Sequence, residues 1–202
     1  MSGEVIGRPD VVPYIAKWSG EKTGPGKIVQ RKKREGIAYE KERSFDRDEH
    51  GVLWTRAPSE PGKGRAEFGK VHSLRQRVAM GALLCQVCGN RADRNEDGVL
   101  WLIDAHPDDP ILRAGVPERT THPPVCEPCA EMSLRACPHL RKECVVLRVR
   151  EFEVYGVNGA LYRPGVPVPV PRRAAELALG DFRMPWMLGS QVVLALTAFS
   201  VV

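Results

Sequence analysis

The chain has 202 residues, a formal net charge of +5, a hydrophobic share of 43% and an aromatic share of 6%. That length fits one domain, or one domain with a small appendage, and the apolar content excludes a wholly disordered chain. With so few aromatic residues, the core must rest on Val, Leu, Ala and Met.

The charge is unevenly placed. Residues 1–84 hold 17 Lys and Arg against 11 Asp and Glu, a balance of +6, and the remainder hold 13 against 14, a balance of −1. The densest basic run is Arg31-Lys32-Lys33-Arg34. Such a run can hold a phosphate backbone by charge alone, or be the solvated surface of a loop or hairpin. The N-terminus shows no basic run followed by an apolar stretch, so no export signal is read and a cytoplasmic setting is expected. The uncharged stretch at residues 184–202 is near the lower limit for a membrane span. Its Pro, Gly and polar residues favour a buried C-terminal helix from about Trp186 over a tail anchor or a strand.

In chain order, residues 1–30 are Gly- and Pro-rich, with a short apolar piece at 11–18, and a strand is expected around 37–39. The stretch Asp46-Arg47-Asp48-Glu49-His50-Gly51-Val52-Leu53-Trp54 returns 47 residues later as Asp93-Arg94-Asn95-Glu96-Asp97-Gly98-Val99-Leu100-Trp101, identical at seven of nine positions. Polar turn residues running through Gly into a β-prone segment predict two matched hairpins. The second copy also fits a calcium-loop pattern, but an EF-hand would need flanking helices. Between the copies, Val71, Leu74 and Val78 recur at helical spacing, which predicts an amphipathic helix over 71–84. A second helix is predicted over 127–136, stopping at Pro138. Residues 145–154 alternate as a strand, and Asn158-Gly159 reads as a hairpin turn into 160–162. A Pro-rich connector spans 164–171, and a short helix is expected at 173–179. These elements divide the chain into a basic N-terminal region (1–70), a metal-binding core (71–144) and a C-terminal region (145–202), together one compact α+β unit with short antiparallel strands.

The most informative feature is a pair of Cys-x-x-Cys motifs, Cys85/Cys88 and Cys126/Cys129. Two intervening residues let both sulfurs reach one tetrahedral ion, and two such pairs close its shell, as in structural zinc sites. The order of knuckle, hairpin and Cys-bearing helix resembles the treble-clef zinc fingers over about residues 84–138. The resemblance implies one structural Zn2+ held by Cys85, Cys88, Cys126 and Cys129. It is unspecific for function, because treble clefs serve nucleic-acid binding, protein binding and nuclease scaffolds.

One branch of that family, the HNH endonucleases, carries an Asp-His pair on the hairpin, and Asp104 and His106 stand at about that place. The match is imperfect: Ala105 separates the two, and Ala130 occupies the position where a ligand is expected after the second Cys pair. Cys137, His139 and Cys144 offer ligands for a second metal, with His106, His122 or water as a fourth, or are simply packed thiols. The leading expectation is a zinc-stabilised protein that binds a macromolecule, with Arg31, Lys32, Lys33, Arg34, Arg75 and Arg77 as nucleic-acid contacts. The alternatives are an HNH-like metal-dependent nuclease using His106 with Asp104, and a structural or assembly protein whose hairpins, Trp54 and Trp101 edges and uncharged C-terminus form an interface with another protein or a second copy.

Overall fold

The structure, a computed structural model, describes residues 11–22, 26–32, 35–106, 109, 116–137 and 139–202. The fold is α+β and dominated by strands. Its spine is two long antiparallel strands, β9 (Val145–Arg163) and β11 (Met187–Val201). The outer side of β9 pairs first with β7 (Gly98–Ile103), then with β10 (Val170–Ala178). The outer side of β11 pairs with β4 (Leu53–Trp54) in parallel and with β8 (Glu118–Thr120) in antiparallel fashion. Adding β6 (Arg94–Asn95), which pairs with β7, completes a seven-stranded sheet. This one sheet draws strands from all three regions distinguished in the sequence. Two ribbons lie outside it: β1 (Ala16–Trp18) with β5 (Ala66–Val71), and β2 (Ile28–Gln30) with β3 (Ile37–Tyr39). Among the described residues the α-helices are α1 (Ser73–Ala82) and α2 (Glu127–Ala136).

Strand β7 positions the candidate site, because both of its faces are buried. Val99, Trp101 and Ile103 point into the main core with Leu147, Val149, Leu194, Leu196 and Met80 of α1. Leu100 and Leu102 point the other way, into a second core with Cys85, Val125, Cys129 and Ala130. Side chains alternate across a strand, so one six-residue segment floors two cores.

The C-terminal segment is a strand, which corrects the expected helix. Its backbone is paired along both edges and its Met187, Leu194 and Leu196 pack into the cores, and a continuous apolar run does not distinguish such a strand from a helix. The expected helix over 173–179 is likewise strand β10. Asn158-Gly159 is not a turn either but lies inside β9. A Cβ at Gly159 would sit 2.2 Å from the Leu188 carbonyl oxygen, and one at Gly156 would sit 2.0 Å from that of Leu177. These glycines let neighbouring backbones approach closely. The two spine strands are therefore long rather than short. Among the described residues no helix is long and apolar enough to cross a membrane.

The internal echo has a shared structural basis. In the first copy the Asp48 carboxylate accepts from the backbone N–H groups of His50 and Val52, and an isolated bridge joins Arg47 to Leu53. In the second copy Asn95 Oδ1 accepts from the N–H of Asp97, within the β6–β7 hairpin. Both are side-chain-stabilised turns. Asp93 is engaged with Arg148, and the loop leads into a strand, so neither feature of a calcium-binding EF-hand is met. Both tryptophans are buried rather than exposed at an edge: Trp54 donates to Asp48 and Trp101 donates to the carbonyl of His122.

Helix α1 inverts its expected orientation. Its buried residues are Ser73, Arg75, Gln76, Ala79 and Met80, whereas Leu74 and Val78 face out. Gln76 explains part of this. Its amide nitrogen donates to the carbonyls of Thr121 and Val192, and its amide oxygen accepts from the N–H of Val192. Val192 lies on the outer edge of β11 between the stretches paired with β4 and β8. The Gln76 side chain therefore fills a gap in the ladder, as buried backbone groups require.

Candidate metal centre

The first Cys pair is held by a tight knuckle. The Cys85 N–H donates to the carbonyl of Asn90, and the Gly89 N–H donates to that of Cys85. Gly89 has φ +74°, and a Cβ there would meet the Tyr14 ring at 2.9 Å. The N-terminal segment lies over this turn: the N–H groups of Tyr14 and Ile15 donate to the carbonyls of Val87 and Gln86.

The second pair opens α2. Cys126 is the N-cap residue, Pro128 lies in the first turn, and Cys129 follows. Proline is well placed there because the first N–H groups of a helix have no partner within it. Three backbone bonds bring this turn to the knuckle. Gln86 N–H donates to Pro124 C=O, Asp93 N–H to Val125 C=O, and Val125 N–H to Leu100 C=O.

The result is a four-thiol cluster. The sulfurs of Cys85, Cys88, Cys126 and Cys129 all lie within 4.8 Å of one another, and those of Cys88 and Cys126 are 3.8 Å apart. A tetrahedral ion with Zn–S bonds of about 2.3 Å spaces its sulfurs about 3.8 Å apart. The donor set therefore fits one soft, four-coordinate metal ion. Cys85 and Cys129 are buried, while Cys88 is exposed. Burial pushes the Cys85 and Cys129 thiols up. At Cys88 burial acts in the same direction, but hydrogen bonds from the Asn90 N–H and the neighbouring thiols outweigh it and hold this group below its ordinary range. The N–H groups of Cys88, Cys126 and Val87 point at the Cys85 sulfur. Donors directed at sulfur favour thiolate, the form that binds metal.

The other candidates are not brought together in this way. Asp104 is hydrogen-bonded to His139, with Oδ2 3.0 Å from Nε2. Thirty-five residues separate the pair, and no local spacing signals it. Among the described residues, the four-thiol cluster is the only set of three or more such ligands gathered around one point. Cys137 ends α2, with its N–H donating to the Ser133 carbonyl, and Cys144 packs beside the second core. Among the described residues, Cys137, His139 and Cys144 are therefore not gathered round one point as a second ligand set.

The basic contacts are also redistributed. Arg75 is only 3% exposed and is engaged with Glu21, which withdraws it as a phosphate contact. Arg77 lies 4.3 Å over the Trp54 ring. Arg31 and Lys32 are exposed, whereas Lys33 and Arg34 lie outside the described residues. Comparison with protein-family models, with characterised proteins and with solved structures returns no match.

Proposed function

We propose that this chain is a metal-stabilised, macromolecule-binding protein in which zinc occupies a treble-clef-like site. The observation that carries the reading is the closed set of four thiols on the buried side of β7. Four sulfur donors leave no open position for substrate, as in a structural ion rather than a catalytic one. Bound zinc would hold the knuckle to the first turn of α2 and fix the intervening hairpin as a platform. Elemental analysis of the purified protein should find one zinc per chain, and a metal-free protein with ordered knuckle and α2 would refute the site.

Nucleic acid is the favoured partner, on the +6 balance of residues 1–84 and on the exposure of Arg31 and Lys32. Such binding should weaken steeply with salt. Removing Arg31 and Lys32 together should reduce the slope of log K against log salt by about 1 to 2. Absence of DNA or RNA binding at low salt would eliminate the nucleic-acid reading and leave a protein partner.

The Asp104–His139 pair supports a second reading, an HNH-like nuclease, because a carboxylate can orient an imidazole for base catalysis. Plasmid cleavage with magnesium or manganese that disappears in His139→Ala would support it. Cleavage unaffected by both His139→Ala and His106→Ala would dismiss this mechanism.

A further inference from the structure

Among the described residues the two most exposed aromatic side chains are Phe182 and Phe45, at 88 and 69%. A single exposed phenylalanine needs no explanation. These two share a setting. Each has an arginine over its ring: Arg43 lies 5.6 Å from the Phe45 centroid and Arg183 5.8 Å from that of Phe182. Both also flank the β2–β3 hairpin. Arg47, two residues past Phe45, donates to the Ile37 carbonyl at 2.7 Å. On the other side, the Met184 N–H donates to the Asp181 carbonyl and closes the turn that carries Phe182. That turn abuts the hairpin, because a Cβ at Gly36 would lie 2.2 Å from the Pro185 carbonyl oxygen, and Trp186 packs against the small core of Ile37, Tyr39 and Leu53. The Gly36 carbonyl accepts from the Arg31 N–H. The basic run and both phenylalanine turns therefore converge on residues 36–37.

The charge at this corner is one-sided. Glu40 is engaged with Lys27, Glu42 with Arg47, Asp46 with Arg56 and Asp181 with Arg183. Arg31, Lys32, Lys41 and Arg43 are exposed and have no acidic partner among the described residues, and Glu35 is the exposed acid left in the hairpin. Resting on the nucleic-acid reading above, we propose that this corner takes single strands: unpaired bases stack on Phe45 and Phe182, and Arg31, Lys32, Lys41 and Arg43 hold the phosphates. Every base has a π-face that an aromatic side chain can cover, and stacking of this kind is open only to bases that are not already in a duplex. Cations alone would favour the duplex, whose phosphates are the more densely spaced. The exposed rings reverse that preference, because they gain nothing from a duplex backbone. An arginine held over each ring places a cation beside the stacked base, as in sequence-tolerant single-strand sites.

Fluorescence anisotropy of the full chain tests this, with labelled mixed-sequence DNA and RNA single strands of about 12 nucleotides, the matching DNA duplex, and polyglutamate as probes. At low salt a single strand should bind at least about tenfold more tightly than the duplex. Phe45→Ala and Phe182→Ala, at exposed positions, should leave the melting temperature unchanged. Each should weaken single-strand binding about 5- to 150-fold without altering the salt slope. Phe182→Trp should keep the affinity and Phe182→Leu should not, which separates stacking from a general apolar contact. Equal affinity for single strand and duplex, single-strand binding indifferent to both alanine variants, or polyglutamate bound as tightly as the single strands would overturn the proposal. Duplex binding that depends on Arg31 and Lys32 but not on either phenylalanine fails this inference alone and leaves the nucleic-acid reading standing. No binding to any of the nucleic acids ends both.

Discussion

Inside the fold, the Arg75 guanidinium donates to both carboxylate oxygens of Glu21, at 2.5 and 2.9 Å, and to the Tyr14 and Ala16 carbonyls. Burial by itself would raise the Glu21 pKa. The guanidinium and the backbone N–H groups of Trp18 and Glu60 outweigh it and hold the carboxyl at about 2, against an ordinary 4.5. The unfolded chain therefore takes up this proton first. The stabilisation is complete above about pH 4.5 and declines as pH falls toward 2. Urea midpoints measured at pH 7, 4 and 3 should fall in that order. Arg75→Met should lose about 3–5 kcal/mol at neutral pH, because it strands a buried carboxylate. It should also lose Glu21's share of the acid dependence. Equal midpoints for wild type and variant at pH 7 would show that the pair contributes nothing.

At the level of elements, the two positive-φ glycines of the echoed segment offer a controlled comparison. Gly51 has φ +75° and open space where a Cβ would go; Gly98 has φ +119°, and a Cβ there would fall 2.3 Å from the Val149 carbonyl oxygen. Gly51→Ala should cost only backbone strain, about 1 kcal/mol. Gly98→Ala must also prise β7 from β9, so it should cost at least about twice as much, read as the difference in unfolding midpoint. The turn chemistry of both copies was legible in the sequence because it is local. So were the Cys knuckle, the strand at 37–39 and the helix at 127–136, which is bounded by its own cap and followed by Pro138. The orientation of α1 was not legible. Val71, Leu74 and Val78 carry the apolar period, but the Gln76 and Arg75 contacts that override it lie up to 116 residues away. The turn expected at Asn158-Gly159 and the helix expected from about Trp186 fail for a related reason. Their glycines and unbroken apolar run acquire meaning only once each strand is the neighbour of the other.

For the molecule as a whole, β11 is the strand on which distant segments converge: it carries β9 along one edge and β4, β8 and the Gln76 amide along the other. Deleting residues 187–202 should abolish cooperative unfolding and the strand signal in far-ultraviolet circular dichroism, rather than trim a dispensable tail. A cooperative transition retained by the truncated chain would show that the remaining strands suffice. The four thiols, in turn, are tied to the interior through the buried Cys85 and Cys129. Leu100 and Leu102 lie beneath them, and the alternate residues of the same strand support the main core. On the proposed zinc-bound reading, ion uptake and chain collapse are two readings of one equilibrium. Melting temperature should climb with the logarithm of free zinc, by about 1.4 kcal/mol of added stability per decade once the dissociation constant is exceeded. Stripping the ion with a chelator should lower the single transition as a unit instead of releasing a separate finger. In a zinc-poor environment the abundance of the folded form would then follow the supply of the ion, so that scarcity is registered as loss of the protein itself.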